Sequence, residues 1–320
     1  MVGFQGLDAE RPETLMNRRQ PKIARFDGVI VDAVTPRRAD ETSIDLGATL
    51  ELIDYLAENG AHGIALLGPL GEFVHFALDD RRHMVNFAAK RSRLPLLVNV
   101  THSTLDGTVE LAREAAGSGV AGLMLMPPHY YRYPQETVRS FFLACAAAIG
   151  DRVPIFLANA PHFTNEIEPS TAAELLATGL FHGIIDWSPN IQAFGGFTSA
   201  VLTGRDDLYP QARRSGAQGV VSAAGCAVPE LVAALHRALE SGDSERVARL
   251  QEILAEFLEW LSKFPAPAAI KEALRQRKIK AGVFATPLGA EEDRKMGEFR
   301  EWFRAWLPGV RRECETPSKT

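Results

Sequence analysis

Gly63-Ile64-Ala65-Leu66-Leu67, followed at once by Gly68-Pro69-Leu70-Gly71-Glu72-Phe73, is the stretch from which the fold can be read. Its first five residues form a short, nearly continuous apolar run that stops at a Gly-Pro turn. A strand covered on both faces reads this way, as strands of parallel sheets do. Before it, Leu46, Thr49, Leu52, Ile53 and Leu56 recur at helical spacing and end at Asn59-Gly60, a left-handed helix stop. The same unit recurs in both directions. Apolar runs fall at residues 28–34, 63–67, 96–100, 122–126, 154–157, 183–187, 200–203 and 219–222. Between them lie helical stripes such as Val109, Leu111, Ala112, Ala115 and Ala116, or Val138, Phe141, Phe142, Cys145 and Ile149. Eight such units predict an α/β fold of the TIM type, a (β/α)8 barrel with C-terminal helices. A doubly wound sheet competes, but the glycine-rich nucleotide turn of that fold is missing.

The 320 residues divide into an N-terminal extension (1–25), the barrel (26–241), a C-terminal helical segment (242–308) and a tail (309–320). In the third part, Val247, Leu250, Leu254, Phe257 and Leu261 form a packing stripe, Pro265-Ala266-Pro267 breaks the chain, and two more helices follow. They run through Lys280 and over about 291–306, and the chain after Pro308 reads as frayed. The net charge of −5 carries no electrostatic footprint for nucleic acid. No apolar run approaches the roughly 20 residues of a membrane span. No signal peptide is read in the first residues, and Cys145, Cys226 and Cys314 are an odd, scattered set that suits a reducing compartment. A cytoplasmic protein without nucleic-acid or membrane partners is the expectation.

A barrel carries its chemistry at the strand ends, and there a resemblance emerges. Val34-Thr35-Pro36 follows the first strand, Gly68-Pro69-Leu70-Gly71-Glu72-Phe73 the second, and Pro127-Pro128-His129-Tyr130-Tyr131 the fourth. Asn159-Ala160-Pro161 follows the fifth, Gly204-Arg205-Asp206-Asp207 the seventh, and Gly219-Val220-Val221-Ser222 is the eighth. The ordered set, over roughly residues 26–280, resembles the dihydrodipicolinate synthase / N-acetylneuraminate lyase family. The resemblance implies a barrel with C-terminal helices, usually a homotetramer. It also implies class I aldolase chemistry, in which a strand-six lysine forms a Schiff base with a 2-oxo acid and a strand-five tyrosine relays protons. Two hydroxyl residues in the Gly-x-x-Gly-Glu loop hold the carboxylate.

This chain departs from that pattern where the chemistry sits. The family lysine falls on Ile185, the tyrosine on Ala158, an arginine after strand five on Phe163, and the two hydroxyl residues on Pro69 and Leu70. Tyr130 matches a tyrosine that often crosses a subunit interface. An imine needs a nucleophilic amine, and no lysine lies between Lys90 and Lys263. Every replacement removes polarity, so the expected pocket, around Ile185 and Ala158, is apolar and suits a ligand larger and less polar than pyruvate.

His102, His129 and His162, on three successive strand-to-helix loops, are candidates for acid–base chemistry with Tyr130. The alternative is three loop histidines with no shared centre. Candidate ligand-binding positions are Pro69, Leu70, Asn99, Ala158, Phe163, Ile185, Arg205 and Ser222. Asp186, one residue past the vacant lysine position, is expected to face the helix layer, Glu72 to hold its own loop, and Asp32, inside the first strand, has no assigned role. No metal site and no cofactor are expected. The partners expected are a small-molecule ligand and a second copy of the chain, in a homodimer or homotetramer.

The leading reading is a divergent family member of lyase, hydratase or isomerase type, acting on a small apolar or aromatic carbonyl compound by acid–base chemistry. The rivals are a non-catalytic paralogue serving as a binding or partner subunit, and a 2-oxo-acid aldolase of the parent kind.

Overall fold

Eight parallel strands close into a barrel in the order β1 to β8. They are β1 (Gly28–Asp32), β2 (Gly63–Leu66), β3 (Leu96–Asn99), β4 (Gly122–Leu125), β5 (Ile155–Asn159), β6 (Gly183–Asp186), β7 (Ala200–Thr203) and β8 (Gly219–Ser222). The computed structural model describes residues 26–38, 43–190 and 196–315; the proposed extension 1–25 and the last five residues lie outside them. All eight expected strands are present; β7 and β8 have the expected bounds, and the ends of the others move by one or two residues. β5 begins at Ile155 because Pro154 has no N–H for the ladder.

Helices α1 (Leu46–Glu58), α2 (Leu78–Ala89), α3 (Leu105–Gly117), α4 (Gln135–Ile149), α5 (Pro169–Ala177) and α6 (Tyr209–Arg214) connect the strands. Caps begin two of them: Asp45 accepts from Ala48 N and Thr104 from Gly107 N. After β8 come α7 (Ala224–Ala227), α8 (Pro229–Ser241), α9 (Ser244–Leu261), α10 (Ala268–Gln276) and α11 (Ala290–Glu315). The helix α11 corrects the expected end at 306. It continues through Pro308, because Leu307 and Val310 prolong the buried face of Met296, Phe299 and Phe303. That packing outweighs the roughly 3 kcal/mol cost of an internal proline. Phe257 of α9 stacks on Trp306 of α11, Trp260 meets Phe299 and Trp302 at tilted angles, and α10 packs on α7.

The strand registers determine which side chains enter the lumen. In-register partners on parallel strands share a face. Asp32 pairs with Ala65, Ala65 with Leu97, Asn99 with Met124, Met124 with Phe156, Ala158 with Ile185, and Ile185 with Leu202. The opposite face includes Val31 and Ser222, which meet α7 at Gly225. The first set therefore points inward.

Candidate functional site at the barrel mouth

A cavity of about 250 Å³ opens at the C-terminal end of the barrel. The loop after β2 gives it Pro69, Glu72, Phe73 and His75; Met126 and His129 follow β4, and Phe163 follows β5. Phe73, Val74 and His75 form a single 3-10 turn. The walls are mainly apolar, and the two imidazoles stand among them.

His129 is the expected histidine that reaches this cavity. Its ring meets Phe73 edge to face at 6.1 Å, and its buried Nδ1 has no partner. Behind Phe73 lies Arg81 of α2, buried, its guanidinium 5.1 Å from the ring centroid. Arg81 donates to the carbonyls of Asn99 (3.2 Å) and Thr101 (2.8 Å). Burial, and then the charge of Arg81, lowers the pKa of His129 below the usual histidine value. At neutral pH its imidazole is therefore uncharged and able to accept a proton.

His102 feels Arg81 and His129 electrostatically, and its pKa is lowered too, mostly by burial. Its Nδ1, however, is engaged with the hydroxyl (3.0 Å) and backbone N–H (3.2 Å) of Thr104, and it does not line the cavity. His162 is exposed and also absent from the wall. The three histidines thus do not share a centre. In their place His129 is joined by His75, which sequence reasoning passed over although it lies only three residues beyond Glu72. Arg81 was missed as well, although it falls on one helical stripe with Met84, Val85 and Ala88.

The other expected ligand-binding residues divide. Pro69 and Phe163 line the cavity, and Leu70 lies beside it in the same loop. Ile185 and Ala158 face the lumen but are fully buried and contribute nothing to this wall. Leu97, Met124, Leu202 and Val221 are likewise buried, and apolar side chains of this kind close-pack. The cavity therefore lies at the mouth, displaced from the position expected. Asn99 is committed to the Leu67 carbonyl (2.7 Å) and to the N–H and hydroxyl of Thr101 (3.0 and 2.7 Å). Ser222 donates to Asp206 on the outer face, and Arg205 is chelated by Asp207 at 2.8 and 2.6 Å. Asp186 is structural: Asn159 (2.8 Å) and the Ser188 hydroxyl (2.7 Å) donate to it. Tyr130 and Tyr131 stand outside the cavity, 87% and 64% exposed.

The loop is anchored from the far side. Glu72 pairs with Lys271 of α10, both almost fully buried, and the Lys271 ammonium also donates to the Val283 carbonyl at 2.8 Å. Asp32 lies beneath the same loop and accepts from Leu70 N at 3.1 Å. Burial and the neighbouring charge of Asp206 raise its pKa to about 7. Among the described residues no three His, Cys, Asp or Glu converge as a metal site, and no helix is long and apolar enough to cross a membrane.

Residues 25–305 match the Dihydrodipicolinate synthetase family. An uncharacterised DapA-like lyase of Halobacterium salinarum is 30% identical over 274 residues, 83% of this chain and 89% of that protein. A 4-hydroxy-tetrahydrodipicolinate synthase of Oceanobacillus iheyensis is 25% identical over 82% of this chain and 91% of its own. Among solved structures, dihydrodipicolinate synthase from Aquifex aeolicus superposes with a TM-score of 0.82 at 25% identity, covering 88% and 98% of the two chains. A catalytic-lysine mutant of the Ruminococcus gnavus sialic acid aldolase shares the fold, with a TM-score of 0.80 at 21% identity over 89% and 98%.

Proposed function

Because the chain belongs to the dihydrodipicolinate synthetase family, we propose that it is a lyase-type enzyme of that family whose chemistry runs without a lysine imine. It acts on a small, uncharged apolar or aromatic carbonyl compound. The observation that carries this reading is His129: a neutral imidazole, with an unpartnered buried nitrogen, in an apolar cavity of a barrel whose strands hold no amine. The imidazole takes the proton from the carbon next to the carbonyl. Arg81, one ring away behind Phe73, provides positive charge toward the developing enolate. Reprotonation, addition or elimination then completes an isomerase, hydratase or lyase cycle. No cofactor is required for these steps.

The test uses phenylacetone, a small neutral aromatic ketone, in D2O. The protein is expected to catalyse exchange of the α-protons above the buffer rate, read by proton NMR. Exchange no faster than buffer would favour the non-catalytic paralogue.

The exposed Tyr130 and Tyr131, with Val74 (61%) and Phe163 (62%), support assembly through this face. A homodimer or homotetramer with Tyr130 at the boundary is the expected state. Light scattering at micromolar concentration should give a multiple of 35.0 kDa, and the monomer mass would contradict it.

A further inference from the structure

A groove of about 760 Å³ lies where the chain leaving β1 meets the segment that joins α10 to α11. It shares no residue with the cavity at the mouth. Its volume falls within the range of small-ligand sites, roughly 300–1,000 Å³. Arg37 and Arg38 line one side; Arg275, Lys278 and Lys280 line the other. Against these five cations the described residues of the wall set a single carboxylate, Asp45, which caps α1 by accepting from Ala48 N at 3.0 Å. The chain as a whole carries −5, so the groove runs against the charge of the molecule. Cations near the end of α10 suit its helix dipole. Arg37 and Arg38 come from another element, which that dipole does not explain.

The wall is pinned in place. Gly282 (φ 70°) sits so close to Arg37 that a Cβ would lie 2.1 Å from the Arg37 nitrogen, so glycine is required. Val283 N donates to the Arg37 carbonyl (3.3 Å), and the Val283 carbonyl accepts from Lys271, itself paired with Glu72. A wall fixed in this way lowers the ordering cost of binding. Lys278 holds a left-handed backbone (φ 64°) just past the end of α10, where glycine is the unstrained choice. Its ammonium has no charged partner among the described residues. Two of the other cations can turn to a ligand at small cost. Lys280 pairs with Glu51 in an exposed contact, and such contacts contribute little. Arg275 shares the buried Glu272 with Arg300 and Gln276, so that carboxylate stays satisfied without it.

We propose that this groove is a second ligand site, for a small anion with two or more linked phosphate groups. Cations on both sides of a groove reach a diphosphate better than a single phosphate, and Arg and Lys are the side chains suited to phosphate oxygens. Ala48, Ile279, Ala281 and Val283 form an apolar strip beside the cations, against which the organic body of a phosphate ester packs.

Equilibrium dialysis of the full chain against pyrophosphate, ADP and orthophosphate tests this, at low salt because exposed charges are screened as ionic strength rises. Pyrophosphate should bind with a Kd below about 1 mM, and orthophosphate about tenfold more weakly. Tighter binding of ADP than of pyrophosphate assigns the phosphates to an organic ester; equal or weaker binding assigns them to the free anion. Lys278→Glu combined with Lys280→Glu should weaken pyrophosphate by about tenfold or more. Lys90→Glu combined with Arg91→Glu makes the same change of net charge at the exposed end of α2, and should leave the affinity within about twofold. Failure of the folded wild type to bind pyrophosphate or ADP would overturn the proposal. So would equal weakening by the two double variants, which marks attraction by overall charge, or equal affinity for orthophosphate and pyrophosphate. Circular dichroism of each variant confirms that the fold is intact.

Discussion

His129→Ala slows α-proton exchange of phenylacetone by about 10²–10⁴-fold, the usual contribution of a positioned general base. The loss should appear in the turnover rate. The cavity wall keeps Pro69, Phe73, Met126 and Phe163, so ligand affinity should change far less. The pH profile gives the sign. A base works deprotonated, and burial with Arg81 holds His129 below the ordinary histidine value. The wild-type rate should therefore rise with pH, with a midpoint below 6.5, and be flat above it. In Arg81→Met the midpoint moves up, because a positive charge has been removed. His162→Ala and His102→Ala should leave the rate within about threefold, since neither side chain lines the cavity. A normal rate in His129→Ala would remove the proposed base from the mechanism.

Lys271→Met destabilises the fold by about 3–5 kcal/mol, because it leaves the Glu72 carboxylate buried, with its cation gone. On a chain of this size that corresponds to a fall of roughly 5–7 °C in the melting temperature. Glu72→Gln costs a comparable amount from the other side, since Lys271 then keeps only the Val283 carbonyl. The double variant should lose clearly less than the sum, because neither charge is left uncompensated. Thermal melts of the three proteins measure this coupling. Additive losses would show that the pair is not the link holding the β2 loop to α10.

The barrel was legible because each strand is buried on both faces and therefore appears as a brief apolar run between helical stripes. Val34 was read as strand, yet β1 ends at Asp32, where the chain turns toward the loops. The last helix was cut short at 306, ahead of Pro308, since the sequence shows the missing proline N–H and not the tertiary packing of Leu307 and Val310. The site was harder to read. Periodicity places a residue on a loop, but it does not say where the loop side chain points. His129 and His162 look alike in sequence, and one lines the cavity while the other faces solvent. Asn99 and Ser222 look like free polar groups at strand ends, and each is used up by a local hydrogen-bond network. Asp32 was visible as an anomaly, a carboxyl inside an apolar strand. Its role beneath the β2 loop required the register that turns it inward and the Leu70 N–H that meets it.

Borohydride trapping with pyruvate tests the absence of imine chemistry directly. The intact protein, incubated with pyruvate and reduced, is expected to keep its unmodified mass, because no strand carries an amine and Lys271 is held in an ion pair with Glu72. A stoichiometric mass increase of one reduced pyruvate, mapped to any single lysine, would contradict it.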